Sequence, residues 1–177
     1  MDYELSLDVS RSLELLKICP AYKQTPIVEI APLNNVRLLV KDETNRMGLG
    51  SFKALGGIYA VAKFLLEQWQ KEQGFELPAH RLIDPEIKSW SSKFTFVCAS
   101  AGNHGMAVAK GAELFNAGCR VHIARPVPTS FAQRLTALGA VVIRSGETYE
   151  QSMLAAMNEN SEGRVLLADS SWPGYYH

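Results

Sequence analysis

Two hydrophobic periods succeed one another along the chain. Near the start, Leu5, Val9, Leu13 and Leu16 recur roughly in helical phase and stop before Pro20, predicting a short helix. Thr25-Pro26-Ile27-Val28 opens an extended segment, because the residue before a proline is pushed towards the β region. Val36–Lys41 is apolar enough for a strand and leads into the polar run Asp42-Glu43-Thr44-Asn45-Arg46. Beyond Lys53 the apolar positions Ile58, Val61, Ala62, Leu65 and Trp69 return to helical spacing. Residues 71–93 mix charges with two prolines and predict a loop-rich insertion or crossover, although Leu77, Leu82, Ile83, Ile87 and Trp90 demand burial.

From Phe94 onward, short apolar runs alternate with helical patterns. Phe94-Thr95-Phe96-Val97, Val121-His122-Ile123-Ala124, Ala140-Val141-Val142-Ile143 and Val165-Leu166-Leu167-Ala168 predict four strands. The helices between them contain Met106, Ala109 and Ala112, then Ala132, Leu135 and Leu138 closed by Gly139, and then a capping box, Thr148-Tyr149-Glu150-Gln151. Strands separated by single helices imply right-handed crossovers and a parallel sheet, so the fold class is α/β.

Composition narrows the function classes. At 177 residues, 47% hydrophobic and 20% charged, the chain is of ordinary globular type. Lysine plus arginine equals aspartate plus glutamate at 18 each, which gives no electrostatic case for a nucleic-acid partner. No apolar run approaches membrane-spanning length. Cys19, Cys98 and Cys119 are isolated and odd in number, so neither a disulfide framework nor a metal site is expected. The opening Met1-Asp2-Tyr3-Glu4 lacks the basic and apolar regions of a signal peptide, and a cytoplasmic location is expected.

Two motifs carry chemistry. In Gly50-Ser51-Phe52-Lys53-Ala54-Leu55-Gly56-Gly57 a lysine stands among small residues at a helix start, with Ser51 as the expected N-cap. The macrodipole disfavours a cation in a first turn and so favours the neutral amine that attacks carbonyls. An ordinary solvated lysine is the alternative. About fifty residues later, Cys98-Ala99-Ser100-Ala101-Gly102-Asn103-His104-Gly105 joins a strand to a helix start and offers backbone N–H groups to an anion.

The paired motifs resemble those of the fold-type II pyridoxal-phosphate (PLP) enzymes, the group of threonine dehydratase and the tryptophan synthase β-subunit. The run Lys41–Leu49 and the segment Asp169-Ser170-Ser171-Trp172-Pro173-Gly174-Tyr175 look most like diaminopropionate ammonia-lyase. The resemblance implies a large PLP domain and a small α/β domain. Residues 1–93 would be the N-terminal part of the first, 94–170 the second, and 171–177 the start of a return. Lys53 would be the cofactor lysine and the base that takes the α-proton. Asn103 would lie beside the cofactor ring. Ser100, Gly102 and His104 would bind the substrate carboxylate, and Asp169 would face the substrate or merely cap a helix. The His104 side chain is expected to cap or pack rather than to act as a base.

The implied reaction is α,β-elimination from a small amino acid, giving a 2-oxo acid and ammonia. Diaminopropionate lyases resemble Thr-Asp-Gly-Asn-His-Gly at the second motif, whereas this chain has Ala101 in the place of the aspartate. A methyl cannot exchange a proton, so Lys53 alone would serve, on an L-amino acid. The resemblance covers about the first half of a family member, and the glycine-rich phosphate loop belongs to the other half. A truncated enzyme, a homodimer or a complement to the missing half is therefore expected. The alternative is a noncatalytic α/β remnant that binds a partner.

Overall fold

The computed structural model describes residues 9–34, 36–159, 161–172 and 175. The first helix, α1 (Ser10–Lys17), spans two turns and buries Leu15 and Leu16. Of the expected stripe, Leu5 lies outside the described residues, Val9 is exposed and Leu13 only half-buried. The buried positions are offset because so short a helix meets the body of the protein only through its last turn, which continues to buried Cys19. Strands β1 (Ile27–Leu33) and β2 (Val36–Lys41) form an antiparallel ribbon in which Ile27 pairs with Lys41 and Ile30 with Leu38.

Helix α2 (Lys53–Gln73) is 21 residues long and ends at Gly74 in the left-handed conformation. Every predicted apolar position on it, from Ile58 to Trp69, is buried. The N-cap is Phe52 rather than Ser51. Phe52 already has helical angles, which moves Ser51 one position outward, yet its hydroxyl still accepts the Lys53 N–H at 3.2 Å.

Residues 71–93 are more helical than expected. Helix α2 runs through Gln73, Ala79–Ile83 forms a 3-10 turn, and α3 (Pro85–Ser91) begins with proline at its first position. The charges that suggested a loop sit on outer faces, while Leu77, Leu82 and Ile87 are buried; Ile83 is exposed. Trp90 closes this segment onto α2, its ring 5.2 Å from that of Trp69.

The second part is an alternating unit: β3 (Thr95–Ala99), α4 (Asn103–Phe115), β4 (Gly118–Ile123), α5 (Thr129–Thr136), β5 (Val141–Arg144), α6 (Tyr149–Asn158) and β6 (Arg164–Leu166). The four strands form a parallel sheet in the order β5-β4-β3-β6. The chain moves outward from β3 through β4 to β5, then returns to the other side of β3. That reversal puts a topological switch point between β3 and β6.

Because handed crossovers depend on the direction of travel, the helix of the return lies on the opposite face. Phe96 and Cys98 of β3 accordingly join the main core with α2 and α4, while Val97 and Ala99 pack with Ala156 of α6. The Glu159 carboxylate holds the end of α6 to β4, accepting from Arg120 Nε at 2.6 Å and from buried His122 Nε2 at 2.8 Å. At the start of α6, Thr148 caps Gln151 N–H as expected, but the glutamine side chain reaches back to Glu147 N–H, not to Thr148. All three cysteines are free and buried. Among the described residues no helix is long and apolar enough to cross a membrane.

Candidate active site

Two helix starts and one strand end build the site. Lys53 is the first residue of α2, and Asn103 the first of α4. The N–H groups of a first turn lack intrahelical partners, so both starts can meet an anion. A helix that follows a strand by three residues needs a sharp reversal, and Gly105 makes it possible. A Cβ there would lie 2.1 Å from the Ser100 carbonyl oxygen. Within the turn, the Ser100 hydroxyl accepts the Gly102 N–H at 3.4 Å.

A cleft of about 360 Å³ runs along one face of α2, within the range of small-ligand pockets. One wall carries Lys53, Gly56, Ala60 and Glu67, which recur at helical spacing; the other carries His104, Leu167, Ala168, Asp169 and Tyr175. The second wall is the carboxyl end of β6, on one side of the switch point. Lys53, His104 and Asp169, more than a hundred residues apart at the extremes, thus share one cavity. Ser100, Gly102 and Asn103 belong to the adjoining turn and do not line it.

The His104 ring is committed. Its Nε2–H donates to the Leu167 carbonyl at 2.9 Å, tying the start of α4 to the end of β6. Asp169 has a partner that sequence reasoning missed. The Tyr149 hydroxyl donates to its Oδ1 at 2.8 Å, and burial, followed by that bond, pushes the phenol up to about 12. Tyr149 looked like the filler of a capping box, and no spacing rule connects it to Asp169. Tyr175 closes the segment that carries the resemblance, but no role was expected of it. Its hydroxyl accepts the Ala168 N–H at 2.6 Å and its ring stacks on Trp172 with centroids 4.5 Å apart. Cys98 is fully buried, and that burial pushes its thiol well up.

Lys53 is half-buried at the first turn of α2 and lines the cleft. An amine so placed, beside Gly56, which faces open space, fits a cofactor that presents an aldehyde.

A parallel α/β unit whose switch-point crevice faces a lysine at a helix start defines the class as a fold-type II enzyme domain. The chain belongs to the pyridoxal-phosphate dependent enzyme family, whose model matches residues 18–177. It is 35% identical over 164 residues to the diaminopropionate ammonia-lyase of Salmonella typhimurium, covering 90% of this chain and 40% of that protein. The crystal structure of diaminopropionate ammonia lyase from Escherichia coli in complex with an aminoacrylate-PLP azomethine reaction intermediate superposes with a TM-score of 0.78 at 28% identity, covering 93% of this chain and 41% of that one. The holo form of the same enzyme gives 0.81 at 26% identity, over 95% and 43%. The chain spans about 40% of the length of the curated relatives it matches.

Proposed function

We propose that this chain is the lysine-bearing part of a PLP-dependent enzyme that eliminates ammonia from a small amino acid, similar to diaminopropionate ammonia-lyase. The observation that carries the reading is the convergence of Lys53, His104 and Asp169 on one cleft at the switch point. PLP, when bound, supplies the electron sink that acidifies an amino acid's α-carbon. Lys53 would hold the cofactor through Nζ and later take the α-proton at that atom. The turn Ser100–Gly102 and the first-turn N–H groups of α4 would bind the substrate carboxylate, and Asn103 would sit beside the cofactor ring. Asp169, oriented by Tyr149, would face the cationic end of the substrate. With Ala101 in the turn no second acid–base group stands there, which favours L-amino acids.

The division into a lysine-bearing lobe up to residue 93 and a parallel α/β lobe over 94–170 belongs to the same proposal. So does a cytoplasmic setting. A covering partner, either a second copy or the rest of a longer polypeptide, is supported by the exposed apolar ribbon, where Ile27 is 66% and Leu39 58% exposed. The test is the visible spectrum of the purified protein with added PLP, before and after borohydride. A band that is abolished in Lys53→Ala is expected, followed by 2-oxo acid release from L-diaminopropionate, L-serine or L-threonine but not from D-diaminopropionate. No band at saturating cofactor would overturn the proposal for this chain.

A further inference from the structure

The loop that delivers Lys53 to the cleft is held by an almost fully buried arginine. The Arg46 side chain is only 6% exposed. Its Nε donates to Glu43 Oε2 at 2.5 Å and its Nη2 to Glu43 Oε1 at 2.8 Å, a two-pronged pairing. Nη2 also donates to the Thr25 hydroxyl at 2.6 Å, and Nη1 to the Lys23 carbonyl at 3.0 Å. Thr25 in turn donates to Glu43 Oε1 at 2.7 Å, and the Lys41 ammonium donates to the Thr25 carbonyl. One guanidinium therefore joins the segment before β1 to the loop after β2.

The backbone of the same residue governs the turn. The Arg46 carbonyl accepts the N–H groups of both Leu49 and Gly50, at 2.9 and 3.3 Å. The next residue, Met47, is buried with φ at +50°, a left-handed conformation that a methionine adopts only when its surroundings impose it. Three residues after Gly50, α2 begins at Lys53. Among the described residues, no side-chain hydrogen bond ties positions 51–52 to another element; the Ser51 hydroxyl bonds within the turn, accepting the Lys53 N–H. The place where the helix starts is thus set from the Arg46 side.

We propose that Arg46 is a positioning residue for Lys53, acting through the Leu49–Gly50 turn. The proposal rests on Lys53 being the reactive amine. Only a planar fork meets this set of acceptors, so lysine is not a substitute despite its charge.

The test compares Arg46→Lys with Ile87→Val, a mild core truncation on α3. In the cofactor-free chain, Arg46→Lys should raise amide hydrogen exchange at Leu49 and Gly50 by about tenfold and leave the β3 amides unchanged. Borohydride trapping of PLP on Lys53 should fall by about tenfold in Arg46→Lys and stay at wild-type level in Ile87→Val. If Arg46→Lys does not fold, Thr25→Val, which removes one Nη2 contact, takes its place in both arms. Wild-type exchange with wild-type trapping overturns the proposal, as does an equal fall in trapping in Ile87→Val. A wild-type chain that traps no PLP defeats the functional reading instead, and the exchange arm then decides the role of Arg46 alone.

Discussion

Gly57 on α2 lies so close to Ala107 on α4 that a Cβ added to it would fall 2.5 Å from the Ala107 Cβ and 2.9 Å from the Ala107 carbonyl carbon. This contact sets the separation of the two helices whose starts carry Lys53 and Asn103. Its neighbour Gly56 faces open space. The two glycines of one motif therefore do different things.

Gly57→Ala is expected to destabilise by about 1–3 kcal/mol, because backbone rather than a flexible tip must yield. Gly56→Ala should be neutral or stabilising by roughly 0.5–1 kcal/mol, since alanine loses less freedom in a helix. Urea unfolding of both variants checks the pair, and equal effects would contradict the close approach.

Glu43 carries a pH dependence. The Arg46 hydrogen bonds hold its carboxyl down to about 2, below the ordinary 4.5. A depressed acid stabilises the folded form above its unfolded value and loses that contribution as the pH falls through the folded one. Unfolding free energy should drop by on the order of 2 kcal/mol between pH 4.5 and 2 beyond what other groups contribute. In Glu43→Gln this extra slope should vanish, as urea midpoints across that window would reveal.

Tyr149 gives the opposite sign at the other end of the scale. A phenol raised from 10 to about 12 stabilises the fold fully below pH 10 and loses that contribution as the pH rises through 12. Ultraviolet titration of the phenolates should show a late-ionising tyrosine that Tyr149→Phe removes. An unchanged titration curve in that variant would dissociate Tyr149 from Asp169.

His104 is expected to matter for stability through its ring N–H. The carbonyl it serves belongs to Leu167, which is buried, so His104→Ala leaves that oxygen unpaired at a cost of about 1–3 kcal/mol. His104→Gln keeps a donor and should cost less. Thermal unfolding ranks the two.

Much of this was legible in the residues themselves. The apolar period of α2 and the four short runs after Phe94 identified a long helix and a parallel sheet, because burial of one face imposes its repeat directly on the chain. Ser51-Phe52-Lys53 and Ser100–Gly105 pointed to the lysine and the turn because small residues and a glycine are needed wherever backbone comes close. Residues 71–93 misled, since their charges occupy the outer faces of short helices and break the apolar period without breaking the structure.

Other features have no local signature. Strand order β5-β4-β3-β6 depends on which edge the chain returns to, and all four runs would look the same in any order. That order opens the crevice and brings Asp169 to Lys53. Tyr149–Asp169 and the Arg46 fork join residues about twenty positions apart through packing geometry, which no periodicity encodes. By itself the sequence determined the long helix and the parallel strands and singled out Lys53 as the candidate amine, for these follow from side-chain pattern and local backbone freedom. Only the tertiary structure decided what faces that amine and what holds it there, because those depend on distances between segments that the chain order leaves open.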